Sequence, residues 1–343
     1  MHATATYPAK HRSGFSLIEV LVGLAIGMLG MLVMLQVFNL TDSGKRATTS
    51  GDDAQTSGAL AIYSLQRDIR QGGFGFTARN LLGCSLRLES GVTLPAIGAT
   101  IINPGTDVIP AGDSNSDTLL VYVGNGMGIP SGDRINGHPS PDNFRMVSPA
   151  LFNINTRVIP GPDSTAFPCA RTMTRVVATD PGGVTTAAGD ATVTVRDWLF
   201  DVGLSPRILA YAVRNSRLMQ CDFMQNDCRT GLSDPAIWQA VADNVVSMRA
   251  RYAKQTVSRG GASQWDQVTP LPTESFASWQ NILGIQLALV ARSAQYEKTA
   301  VTLATPSWQG SATLPLNLSH LSDWQHYRYK IFETTIPIRN ITQ

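Results

Sequence analysis

Glu19 is the first residue whose type and place ask for chemistry. It sits inside an apolar run from Phe15 to Phe38, where an ionised carboxylate at the centre of a bilayer would cost about 2.5 kcal/mol or more. Such a group either snorkels to the headgroups near a helix end or meets an opposite charge that neutralises it in a dry bundle. Four cysteines form a second set: Cys84, Cys169, Cys221 and Cys228. An even number in an exported chain reads as two disulfides with three connectivities open. Cys221 and Cys228 are close enough to close a small loop, which would leave Cys84 and Cys169 as a long-range staple. A third set is Asp113, Asn115 and Asp117, at alternate positions like the start of a calcium loop. An EF-hand would need Gly at the sixth position and Glu at the twelfth, where this chain has Thr118 and Gly124, so a solvated turn is the default reading. The five histidines lie far from any CxxC-type pair, and nothing points to a metal. No nucleophile elbow, zincin helix or phosphate loop is present. No pair of carboxylates stands out for acid–base work, so no catalytic residue and no cofactor are assigned.

The elements that must position these groups begin with the N-terminal run. The 24 residues from Phe15 to Phe38 would reach ~36 Å as a helix, enough to cross a bilayer. Lys10, His11 and Arg12 precede it, and no small-residue cleavage site follows it, so it differs from an ordinary secretion signal. The basic flank would hold residues 1–13 in the cytoplasm and send the rest outward. Gly23-x-x-x-Gly27 puts two small residues on one helix face, which permits close helix packing; Gly30 follows.

Composition bounds the rest. The chain has 343 residues, 43% hydrophobic and 15% charged, with 30 Gly and 19 Pro and a formal charge of +2. Lys10 and Arg12 account for that excess, so the remainder is neutral and offers no electrostatic case for nucleic acid. After Leu40 the polar stretch to Gly58 reads as a frayed helix or a linker. In 59–73, Ile62, Leu65 and Ile69 share one helix face while Arg67, Asp68 and Arg70 point elsewhere, and Gly72-Gly73 stop the helix. From about residue 80 short alternating runs predict strands over 118–123, 174–178, 191–200, 207–213, 245–253, 282–293 and 327–340. Leu209, Tyr211 and Val213 face one side of their strand. Asn215-Ser216 marks a hairpin turn, 234–244 could hold one helical turn, and Pro337 places the last strand at a sheet edge. Long loops are expected around 90–115, 125–170 and 254–275.

Residues 14–19, GFSLIE, resemble the processing signature of type IV pilins and type II secretion pseudopilins. The resemblance implies cleavage by a prepilin peptidase between Gly14 and Phe15, N-methylation of Phe15, and an assembly role for Glu19, whose carboxylate could pair with the freed amine of a neighbouring subunit. Five later stretches resemble PilW-type minor pilins in their order along the chain: Leu65 to Phe76, Ser116 to Tyr122, Tyr211 to Cys221, Val245 to Tyr252, and Arg328 to Asn340. That family implies an α+β pilin-like fold, with a long N-terminal helix, membrane-spanning first and amphipathic later, and a β-rich head of antiparallel strands. The implied division is a leader at 1–14, an assembly helix at 15–38, a linker and amphipathic helix at 39–73 and a periplasmic head at 74–343. The implied role is that of a non-enzymatic minor pilin in a tip or priming complex, with FimU, PilV and PilX types and a tip adhesin as partners. Such a protein sits in the inner membrane of a Gram-negative bacterium, then in the pilus at the cell surface. The J-type pseudopilin of a type II secretion system shares these features and is the alternative.

Overall fold

One helix, α1 (Leu17–Gln71), dominates the N-terminal part of the chain. The computed structural model describes residues 14, 16–78, 80–127, 131–163, 167–256, 260–271, 274 and 276–340. The leader residues 1–13 and Phe15 lie outside them. Helix α1 runs on through 41–58, where polar, weakly helix-forming residues favoured a linker or frayed end. It stops at Gln71 because Gly73 and Gly75 take positive φ (90° and 74°), a conformation that glycine adopts at no steric cost. The chain divides into two compact units at Ser50–Gly51. In the first, residues 17–38 are exposed throughout and apolar.

The second unit is the β-rich head with the last turns of α1. Its strands open with β1 (Ser85–Arg87), β2 (Thr93–Leu94), β3 (Thr100–Ile102) and β4 (Leu119–Val123). Next come β5 (Asp133–Ser140), β6 (Asn143–Met146), β7 (Arg157–Gly161), β8 (Ala170–Thr172), β9 (Thr174–Asp180), β10 (Gly183–Thr186) and β11 (Trp198–Gly203). The chain then forms β12 (Arg207–Arg214), β13 (Arg217–Asp222), β14 (Gln239–Asp243), β15 (Val245–Lys254) and β16 (Gln264–Asp266). A short α2 (Phe276–Gln280), then β17 (Ile282–Arg292) and β18 (Tyr329–Pro337), complete it. One sheet has the order β14-β13-β12-β4-β3 and another β16-β15-β17-β18. Pairing is antiparallel except where β1 meets β8.

Helix α1 enters this core through Ala54, Gly58, Ala61, Leu65, Asp68 and Ile69, all buried. Their spacing follows the 3.6-residue period of one helix face. Leu65 and Ile69 share a core with Tyr122 of β4, Tyr211 of β12, Tyr252 of β15 and Leu287 of β17. Leu209, Tyr211 and Val213 share one face of strand β12, and Ala210 and Ala212 on the other face are buried as fully. The hairpin turns at Asn215-Ser216, both at positive φ. Trp238 closes one helical turn on the carbonyl of Asp234 (2.9 Å), and β18 is an edge strand ending at Pro337.

The expected loop over 125–170 is instead part of a six-stranded barrel, β10-β6-β5-β11-β7-β9, inserted between the paired strands β4 and β12. It has its own core of Ile135, Phe144, Val158, Val176, Val184 and Leu199. The strand expected from 191 starts only at Trp198. Asp190 takes the Thr192 amide (2.9 Å) and Asp197 the Thr194 amide (2.6 Å), and these local bonds hold the backbone in turns rather than a ladder. Disulfides join Cys84 to Cys169 and Cys221 to Cys228. The first lies beside the β1–β8 ladder and closes 85 residues, worth about 4–5 kcal/mol in the chain-entropy account.

Gly58 lets α1 lie against β18, because a Cβ there would fall inside the Phe332 ring. Gly51, on the same helix, faces open space. Gly58→Ala should therefore lower the melting temperature by several degrees, since overpacking costs about 1–3 kcal/mol. Gly51→Ala should leave it equal or higher, because helix propensity gains about 1 kcal/mol. Thermal unfolding by circular dichroism checks both signs.

Candidate functional site

The N-terminal group is built on the first turns of α1. The Ser16 carbonyl accepts from the Glu19 amide (2.9 Å) and the Val20 amide (3.2 Å), which makes Ser16 the residue that opens the helix. Ser16 and Glu19 have capping-box spacing, and an acid in the first turn suits the positive end of the helix dipole. Glu19, Gly23, Gly27 and Gly30 are spaced four, four and three residues apart, so they share one face. The space over each of these glycines is open, and Glu19 is exposed. Gly14 is exposed too. The arrangement is a carboxylate at the head of a smooth glycine stripe, within 22 apolar residues, Leu17–Phe38, of mean hydropathy 2.4. A second helix could approach that stripe closely.

A second constellation fixes the C-terminal turns of α1 to the head. Asp68 was expected to point away from the core; instead it is wholly buried. Its Oδ1 accepts from Arg67 Nε (3.0 Å) and Arg207 (3.3 Å). Its Oδ2 accepts from Arg67 (3.2 Å) and the Tyr211 hydroxyl (2.5 Å). Burial pushes the Tyr211 hydroxyl well above its ordinary pKa, and Asp68 beside it pushes further. The Asp68 carboxylate and its hydrogen bond hold the Arg67 guanidinium above its own ordinary range. At the helix end, the Asn340 side-chain amide donates to the carbonyls of Gln71 (3.2 Å) and Gly72 (3.1 Å). Thr77 donates to the Asn340 carbonyl. These bonds satisfy acceptors that a helix terminus leaves open. Gln66 also reaches Thr334 of β18 (2.6 Å).

The calcium-loop reading finds other work for its residues. Asp113 accepts the Asn215 and Ser216 amides (3.0 and 2.8 Å) and so fixes the β12–β13 turn. Asn115 accepts the Asn317 amide (2.8 Å). Asp117 is buried and receives Arg249 (3.0 Å), the Ala250 amide (2.9 Å), Asn103 (3.1 Å) and Gln267 (2.6 Å). The three are anchors for three different segments. Among the described residues no three His, Cys, Asp or Glu gather as a metal site.

A long N-terminal helix with an apolar first half, followed by an antiparallel β-rich head, is the architecture of a pilin-like protein. Residues 9–35 match the family model of the prokaryotic N-terminal methylation motif, and residues 210–340 match that of Type IV Pilus-assembly protein W. The two matches support a PilW-like pilin. No curated protein and no solved structure matches it. The matched head segment begins within β12 and ends at Asn340, so it contains Tyr211, Thr334 and Asn340, which bond to α1, while Arg207 stands just before it. The motif and the apolar helix together point to membrane anchoring and association with a pilus.

Tyr211→Phe and Asp68→Asn should each cost the head about 1.5–3 kcal/mol, the range for hydrogen bonds to a charged group. Because Tyr211 ionises far less readily in the fold than in the unfolded chain, its stabilisation is intact below pH ~10. It is lost as the pH climbs from there toward the raised folded value. Tyr252 and Tyr329, both pushed up to about 12 by burial, add to the same limb. Denaturant melts of the wild type between pH 8 and 12 should show stability falling steeply above pH 10, and the fall should be shallower in Tyr211→Phe.

Proposed function

We propose that this chain is a minor pilin: a prepilin peptidase cuts it between Gly14 and Phe15, Phe15 is N-methylated, and α1 then leaves the inner membrane to join a type IV pilus. The observation that carries the reading is the placement of Glu19 on the glycine face of an exposed apolar helix. In a dry helix bundle an unpaired carboxylate is penalised, and the freed Phe15 amine of a neighbouring subunit is the partner that removes the penalty. Pairing of this kind sets register between subunits. Gly23 and Gly27 let the helices approach. No step of assembly calls on a cofactor or a catalytic residue of this chain.

The 329 residues after Gly14 are many for a main fibre subunit, and a tightly stacked fibre would hold their bulky head poorly. A rare tip or priming position fits better, among other minor pilins of the FimU, PilV and PilX types and a tip adhesin. The head is then periplasmic before assembly and surface-exposed afterwards. The match of residues 210–340 to the pilus-assembly family favours a pilus over the type II secretion machine of the J-type pseudopilin.

Mass spectrometry of the membrane-extracted protein should find N-methylated Phe15 as its first residue, and an intact leader would overturn the reading. Glu19→Gln should still be cleaved yet reduce surface piliation at least tenfold when it replaces the wild-type copy. Normal piliation with that variant would remove the pairing role.

A further inference from the structure

One short seam of the barrel lies where β7 meets β9. Those strands pair at Arg157 with Arg175 and Val158 with Thr174, and two more bonds extend the seam, from the Asn155 amide to the Val176 carbonyl (2.8 Å) and from the Val176 amide to the Thr156 carbonyl (2.9 Å). Beyond that point β9 carries on for four residues. There it is paired with β10 on one side, through a bulge at Val177, and among the described residues no strand pairs with 177–180 on the other. Those four residues are exposed. Opposite them the chain from Val147 to Asn153, which includes a short 3-10 turn at Pro149–Leu151, stands off to leave a groove of about 700 Å³. Val147, Pro149, Leu151 and Phe152 line one wall, Thr179 to Pro181 the other. Val147 on the groove wall and Ile154 and Val177 beside it are large apolar residues exposed to water, at 63%, 54% and 41%.

Two features specify what fits. A strand edge that outruns its partner offers backbone donors and acceptors at strand spacing, so the complementary ligand is an extended backbone, with pockets for every second side chain. The seam also has one unmatched charge. Asp180 is paired with Arg145 (2.7 Å), whereas Arg175 meets only the Asn155 side-chain oxygen (3.0 Å) and no carboxylate among the described residues. Arg175 stands at the closed end of the gap, four residues from Thr179, or ~13 Å along the strand.

We propose that this seam is a strand-addition site for an extended peptide segment of a partner protein, apolar at alternate positions and ending in an acidic residue that reaches Arg175. The inference rests on the barrel alone and holds whether or not the chain joins a filament.

The test uses the full chain in detergent micelles and a displayed library of random ten-residue peptides. Selection should enrich sequences with apolar residues at alternate positions and Asp or Glu at one end. A fluorescein-labelled selected peptide should bind about tenfold more weakly to Leu151→Asp, which puts a charge in the groove wall. Val147→Asp on the exposed rim is the second variant should Leu151→Asp fail to fold. Arg175→Glu should weaken the acidic peptide about fivefold and favour its Lys-ended counterpart. Hydrogen exchange should show the amides of 177–180 protected by the peptide. Absence of enrichment, enrichment of peptides without alternation, binding indifferent to Leu151→Asp and Val147→Asp, or no protection of 177–180 would each overturn the proposal. Self-association of the chain that Leu151→Asp abolishes would overturn it too, by identifying a second copy as the occupant.

Discussion

A carboxylate with no access to water must be held by donors, and Asp68 imposes that constraint on the head. It projects from α1 into a core of Leu65, Ile69, Tyr122 and Tyr252, where an uncompensated charge would cost several kcal/mol. Arg207 and Tyr211 come from β12 to meet it, and Arg67 folds back along the helix. The strand that supplies two of these donors is the centre of its sheet. The bond from Tyr211 therefore fixes the rotation of α1 about its axis against that sheet, something greasy contacts alone specify loosely. Gly58 under Phe332 and Asn340 over the last carbonyls of the helix set its depth and its end.

The same helix meets two different demands along its length. Residues 17–38 are apolar on nearly every side, Glu19 apart, and carry glycines where close approach matters. Residues 54–69 keep one buried stripe and turn their charges outward, except for Asp68. A change in the pattern of hydrophobicity, with no break in the helix, thus divides the part available to lipid or sister helices from the part that packs into the core of the head. In the proposed role this is an economical arrangement: the polar residue that lipid tolerates least, Glu19, lies in the first part, and the polar residue that the core tolerates least without donors, Asp68, lies in the second.

The sequence made much of this readable, for identifiable reasons. Gly72-Gly73 ends α1 because positive φ at Gly73 is cheap only for glycine. Asn215-Ser216 turns the hairpin because both positions take a left-handed backbone. Strands β4, β15, β17 and β18 carry strong β-branched and aromatic runs, and the two disulfides follow the division into a near pair and a distant pair. Other features were hidden. The spacing of 61, 65 and 68 puts Asp68 on the buried face, but a reading that follows only apolar residues passes over a carboxylate there. The barrel escaped because its strands are short and irregular: β5 contains Gly137 and Pro139, and its ladder to β6 shifts register twice. Around Thr192 and Thr194, side-chain carboxylates outcompeted a pattern that alternates like a strand. Capping of α1 by Asn340 joins residues some 270 apart and leaves no local trace.

If Asp68 and its donors bind helix and head into one cooperative structure, the last turns of α1 must open only when the central sheet opens. Native-state hydrogen exchange of the full chain in micelles, followed across a denaturant series, measures this directly. The account predicts that amides of residues 61–70 and of β12 exchange with the same opening free energy and the same denaturant slope. Exchange of the helical amides through a separate opening, several kcal/mol below that of β12, would contradict it.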